Sequence, residues 1–313
     1  RLPGRVRRAL PGVQPVAVAD PAGDAHGVAG GLVVGDSVQH LIDAGVDYAV
    51  VAVPTSEHET VGLALAEAGI HAMLEKPLAP TEESAARLAK AFADKGLVGA
   101  VGHIERFNPA LRSLRARLEQ GALGEIYQIS TRRQGPFPAR IADVGVVKDL
   151  ATHDIDLTAW VAQSPYRSVS AHVAVKSGRE HEDLVVVAGL LEGGIVTSHL
   201  VNWLSPFKER VTVVTGELGA FLADTLTADL TFYANGTSET TWESLAGFRG
   251  VSEGDTVRYA LGKREPLLVE HEAFRDAVLG GGHGVVTMEE GLVTVRVAEA
   301  ILESAASGAT VLL

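Results

Sequence analysis

Ile70-His71-Ala72-Met73-Leu74-Glu75-Lys76-Pro77-Leu78 is a short apolar run that empties into an adjacent acid and base and is then stopped by proline. An apolar strand ending in charged residues is where an α/β protein usually keeps its chemistry. Proline fixes its own φ and biases Lys76 towards extended backbone, which aims the lysine in one direction. Taken alone, the triplet reads equally as a solvated strand end carrying a surface ion pair.

The flanking segments share its texture. Residues 16–20 form a strand pattern ending at Asp20, followed by Pro21 and a glycine-rich turn. Residues 36–44 read as a helix closed by Gly45, and residues 48–53 are a continuous apolar run, as in a parallel strand buried on both faces. That run stops at Pro54-Thr55-Ser56, and residues 58–68 then carry a helical period ended by Gly69. A helix over 81–95, opened by a Thr81/Ser84 capping box and closed by Gly96, leads to a strand over 97–101. This βαβαβ alternation predicts an α/β fold with a doubly wound parallel sheet.

Ligands of such sheets bind beyond the carboxyl ends of the strands. Asp20 is placed to accept hydrogen bonds from a ribose diol, with turn formation before Pro21 as its other reading. Pro54, Thr55 and His58 stand where the pyrophosphate or nicotinamide half of a cofactor passes, and Glu75 and Lys76 come next. A dinucleotide fold opens with a strand and a Gly-x-Gly-x-x-Gly turn about 20 residues before its acid. Residues 2–10 are expected to be the last glycine of that turn and its helix, with the first strand outside the sequence.

At 313 residues, with 46% apolar and 21% charged side chains, the chain has the composition of a two-domain globular protein. A net charge of −12 argues against nucleic acid or an anionic membrane as the main partner, since both need a basic face. With no cysteine there is no thiolate nucleophile, thiolate metal site or disulfide. No apolar run approaches the roughly 18 residues of a membrane span, and no signal-like core follows the basic N-terminus, so a cytoplasmic location is expected.

Beyond Val101 the pattern changes. A polar strand exit, residues 102–109, leads into a basic helix over 109–120 closed by Gly121. Strand-like segments then follow at 126–133, 169–176, 184–191, 195–202, 209–215, 220–224 and 230–233, which predicts a large, mainly antiparallel sheet. Helices return at 266–279 and 288–306. The expected division is a dinucleotide-binding domain over 1–107 and a substrate-binding and oligomerisation domain over 108–313.

Within the second half, a helix is expected to start at Lys148. Asp149 and His153, four residues apart, then share one face. A carboxylate-steered imidazole is a common general base near neutral pH. Helix capping and packing is the competing reading, and a metal site is disfavoured because no second histidine converges. Arg132, Arg133 and Arg140 form a basic patch in an acidic protein; arginine forks suit phosphate or carboxylate, and surface ion pairing is the alternative.

Glu75-Lys76-Pro77, residues 52–58, residues 102–109 and residues 143–154, in this order and spacing, resemble the Gfo/Idh/MocA family of nicotinamide-dependent oxidoreductases over nearly the whole chain. The resemblance implies a Rossmann domain plus an open-sheet α/β domain that often supports dimers or tetramers, and reversible oxidation of a sugar or cyclitol hydroxyl. It also implies that Lys76 meets the reacting hydroxyl and the cofactor, with Asp149 and His153 over the substrate. Hydride leaves a carbinol carbon only as the hydroxyl proton is removed, which suits His153 as base, Lys76 as electrostatic partner of the alkoxide, or the reverse. Asp20 favours NAD over NADP by repelling a 2′-phosphate. Residues 135–140 and 143–154 look most like the branch acting on the 3-hydroxyl of UDP-N-acetylhexosamines. Asn108, Arg132, Arg133 and Arg140 are then the expected substrate contacts; a free-sugar or inositol dehydrogenase and a non-catalytic sensor are the alternatives.

Overall fold

A computed structural model describes residues 10–25, 27–138, 144–236, 252–282 and 284–313. The chain divides into two compact units, one of residues 1–107 and 264–299, the other of residues 108–263 and 300–313.

In the first unit β1 (Val18–Ala19) and β2 (Val34–Gly35) pair in parallel. A second parallel sheet has the order β3 (Tyr48–Val51), β4 (His71–Glu75), β5 (Gly99–Gly102). Helices α1 (Val38–Asp43), α2 (His58–Glu67) and α3 (Glu82–Asp94) connect the strands. The Thr81 side chain accepts the Ser84 N–H at 3.2 Å, which caps α3 as the sequence predicts. Gly69 and Gly96, at φ of 74° and 64°, take the left-handed turn that ends α2 and α3. β4 is buried on both faces. Ala72 and Leu74 join the core made with Leu65, Leu88 and Phe92, while Met73 packs with Ala100 and Phe274.

Phe274 belongs to α6 (Pro266–Val278), which is followed by α7 (Met288–Ser307). Its ring stands edge-on to Tyr48 at 5.2 Å, and the Val101 N–H donates to the Val286 carbonyl at 2.9 Å. Residues 264–299 thus group with the first unit instead of lying in a single 108–313 domain. The physical reason is that a parallel sheet needs cover on both faces, and the 1–107 segment leaves Met73 and Ala100 to be covered from elsewhere.

The second unit is built on a nine-stranded sheet. Its strands are β6 (Ile126–Pro136), β7 (Tyr166–Ala174), β8 (Leu184–Leu191), β9 (Val196–Asn202), β10 (Leu204–Gly216), β11 (Gly219–Asp224), β12 (Asp229–Gly236), β13 (Ser252–Tyr259) and β14 (Val311–Leu312). They run in the order β13-β12-β11-β10-β6-β9-β8-β7-β14, antiparallel except for the β6–β9 pair. One face packs on α4 (Pro109–Glu119) and α5 (Thr152–Ala162) through Leu111, Leu114, Leu157 and Val161 against Ile129, Val214 and Phe221. The strand β13 is missing from the sequence-based expectation because it is an edge strand with a polar sequence, which carries little periodic signal.

Beneath that covered face the buried His199 ring bridges two hydroxyls, Thr131 Oγ1 and Tyr166 Oη, each at 2.8 Å. Hydroxyls donate or accept as needed, so a neutral ring satisfies both contacts. Burial lowers the His199 pKa from 6.5 to about 4 and raises that of the Tyr166 phenol.

Two outcomes are expected. Phe274→Ala removes a fully buried ring and lowers stability in urea unfolding by about 3–5 kcal/mol. For His199, the unfolded chain takes up a proton near pH 6.5 and the folded one only near 4, so stability falls as pH drops through that window. The slope is about 1.4 kcal/mol per pH unit, and His199→Gln flattens it in denaturant titrations at pH 5 and 7.

Candidate active site

β4 delivers Glu75 and Lys76 to the carboxyl edge of its sheet, and the Lys76–Pro77 peptide is cis. The Lys76 N–H donates to Glu75 Oε2 at 3.3 Å. Glycine at 102 leaves room for this carboxylate, since a Cβ there would lie 3.2 Å from Glu75 Oε2. Lys76 is half-buried, and Pro77 and Leu78 behind it are buried.

At the neighbouring strand end Pro54 is exposed, Thr55 is half-buried, and a short 3-10 turn, Thr55–Glu57, feeds α2. His58 differs from expectation. It is 1% exposed, with Nδ1 3.0 Å from the Pro77 carbonyl and 3.3 Å from that of Leu78, and Nε2 3.2 Å from the Val53 carbonyl. Both ring nitrogens therefore face backbone, so the side chain braces the turn behind Lys76 and presents no group to a cofactor. Burial holds its pKa below the usual histidine value. Asp20 is exposed at the end of β1, and its Oδ1 accepts the Ala22 N–H at 2.8 Å. The turn occupies one carboxylate oxygen, and a carboxylate has a second to offer a ribose.

In the second unit the segment carrying Asp149 and His153 begins as a π-helical turn, Val147–Ala151, before α5. The expected continuous helix thus carries a one-residue expansion at its start, a distortion that recurs at functional sites. Asp149 is 7% exposed and His153 half-buried. Glu182 holds the turn, its Oε1 accepting the Val147 N–H at 3.0 Å and its carbonyl accepting the Val146 N–H at 2.9 Å. Glycine at 145 leaves room for this carboxylate, since a Cβ would lie 2.0 Å from Glu182 Oε1 and the glutamate would have to move off the turn. Neither role of Glu182 has a local sequence signal, since its partners lie some 35 residues away in the chain; the small residue between valines at Gly145 is the one available hint.

Three of the expected substrate contacts have partners within the protein. Asn108 caps α4, its Oδ1 accepting the Ala110 N–H at 3.0 Å and its Nδ2 donating to the Thr225 carbonyl at 3.0 Å. Arg133 is buried with its Nε 2.9 Å from Asp154 Oδ2, both side chains 3% exposed. Successive strand residues point to opposite faces, so Arg132 lies on the uncovered face of β6, paired with Glu209 at 2.7 Å. Arg140 lies outside the described residues.

A family model described as an oxidoreductase family with an NAD-binding Rossmann fold matches residues 5–103, and one for the GFO/IDH/MocA C-terminal domain matches residues 111–222. The chain belongs to the Gfo/Idh/MocA oxidoreductase family. Its sequence is 29% identical to inositol 2-dehydrogenase 2 of Saccharopolyspora erythraea, over 92% of this chain and 83% of that one. It is also 29% identical to the UDP-N-acetylglucosamine 3-dehydrogenase of Acidithiobacillus ferrooxidans, over 77% and 73% respectively. A solved structure of that enzyme superposes with a TM-score of 0.83 at 25% identity, covering 97% of this chain and 93% of the other. Levoglucosan dehydrogenase in complex with NADH and levoglucosan matches in fold, with a TM-score of 0.84 at 21% identity over 99% and 96%.

Members of this family to which the chain is similar are NAD-dependent sugar and polyol dehydrogenases, and this chain is an NAD-dependent dehydrogenase of that class. The carboxylate of Asp20 beyond a parallel strand, and the exposed Pro54 turn beyond the next sheet, fit that cofactor chemically.

Arg133→Ala leaves the Asp154 carboxylate buried without this ion partner. A loss of about 3–5 kcal/mol in chemical denaturation is expected, against a far smaller loss for the exposed Arg132→Ala.

Proposed function

We propose that this dehydrogenase oxidises the 3-hydroxyl of a UDP-N-acetylhexosamine. The observation that carries the reading is the likeness to UDP-N-acetylglucosamine 3-dehydrogenase in both sequence and fold, over 97% of this chain in the structural match. Bound NAD supplies the hydride acceptor for the carbinol carbon. His153 takes the hydroxyl proton, Asp149 orients the imidazole or the sugar, and the Lys76 ammonium stabilises the developing alkoxide electrostatically. The sugar becomes a ketone, with one hydride and one proton removed. Asp20 accepts from the adenosine ribose, and Pro54 and Thr55 line the nicotinamide half.

With Arg132 and Arg133 engaged elsewhere, Arg140 is the remaining reader proposed for the diphosphate. Val211, Val213 and Leu222 are half-buried on the uncovered sheet face, which supports a homodimer or homotetramer formed through it. A second reading, oxidation of a free cyclitol, is favoured by the inositol 2-dehydrogenase likeness over 92% of the chain.

Reduced-cofactor absorbance with UDP-N-acetylglucosamine, UDP-N-acetylgalactosamine, myo-inositol and free hexoses separates the two. Turnover confined to free polyols rejects the nucleotide sugar. His153→Ala is expected to lower kcat about 100-fold or more with NAD binding retained. Arg140→Ala is expected to raise KM for UDP-sugars and not for free sugars.

A further inference from the structure

The buried ring of His58 joins two loops with different proposed tasks. Its Nε2 faces the carbonyl of Val53, directly before the Pro54–Thr55 turn, and its Nδ1 faces the carbonyls of Pro77 and Leu78, directly after Lys76. On the other side of the lysine, the Glu75 carboxylate accepts the Lys76 N–H. The chain is thus held at the Lys76 N–H by a carboxylate and just after Lys76, at the Pro77 carbonyl, by an imidazole. The ring is set against three carbonyl oxygens from two strand exits, and its single N–H serves the side of the nitrogen that carries it.

We infer that His58 is a positioning residue for the catalytic lysine: it donates from Nδ1 to the Pro77 carbonyl and thereby fixes the turn that follows Lys76. The inference rests on the reading of Lys76 as the alkoxide-stabilising group. At 1% exposure the ring touches neither substrate nor solvent, so its effect passes through the backbone it holds. Burial keeps it neutral with one N–H, and the shortest of its contacts, 3.0 Å from Nδ1 to Pro77, is where that hydrogen belongs. A displacement of about 1 Å at a reacting group costs on the order of 100-fold in rate, so a loosened turn is read mainly in kcat.

The test compares His58→Ala, His58→Asn and His58→Gln in the full chain. Asparagine puts an amide N–H about where Nδ1 stands and can still reach the Pro77 carbonyl; glutamine puts its amide nearer the Nε2 side. Expected are a kcat about 10–100-fold lower for His58→Ala with substrate KM changed less than about threefold, most of kcat restored by Asn, and little by Gln. In parallel, the rate of reductive methylation of Lys76, followed by peptide mass spectrometry, is expected to change in Ala and Gln and to return in Asn. A kcat per folded molecule equal to wild type in His58→Ala, or equal rescue by Asn and Gln, overturns the inference. If wild type itself turns over no sugar, the functional reading fails instead; the methylation rates then decide the positioning role alone, unchanged rates in all three variants rejecting it.

Discussion

Burial of β4 on both faces is the constraint on which the first unit depends. Ala72 and Leu74 are sealed by α2 and α3, and Met73 by Phe274 from the far end of the chain. Between His71 at its start and Glu75 at its end, so enclosed a strand carries only apolar side chains. Where it leaves the sheet, Glu75 and Lys76 arrive together at the edge where open α/β sheets bind ligands. The proline behind Lys76, the Glu75 carboxylate over its N–H and the His58 ring on the following carbonyls all act on this one exit. The chemistry proposed for the lysine is therefore tied to the packing of the core that precedes it.

The second unit solves a different problem. Among the described residues its sheet packs helices on one face, so each strand sorts its residues by parity. Arg132 and Arg133 are neighbours in sequence and belong to opposite environments: one pairs with Glu209 on the uncovered face, the other is sealed against Asp154. Asp154 follows His153 in the chain, so the buried ion pair ties the first turn of α5 to β6. Glu182 holds the preceding π-turn, and Gly145 leaves room for its carboxylate. A buried ion pair is weak evidence for net stability but is costly to break, and here it fixes the backbone that presents the candidate base.

Much of this was legible in the chain itself. The period and punctuation of residues 36–101 gave the parallel sheet because apolar runs, caps and glycine stops are local signals; Thr81 and Gly96 act as read. Glu75, Lys76, Asp149 and His153 stood out because polar residues at strand exits and helix starts have few other reasons to be there. His58, Asn108 and Arg133 carry the same residue types, yet each is engaged by the protein itself, and whether a polar side chain faces a ligand or a protein group depends on partners 2 to about 120 residues away.

The sequence by itself determined the two fold classes, the strands at Tyr48–Val51, His71–Glu75 and Gly99–Gly102 with the helices between them, and the motifs of the family. Those follow from short-range hydrophobic period and turn chemistry, which act within about ten residues. The tertiary structure decided that residues 264–299 return to cover the first sheet, that two of the arginines are occupied by carboxylates, and that a histidine braces the lysine turn. Each of these is a contact between distant segments, fixed by which buried surface and which buried polar group needed a partner.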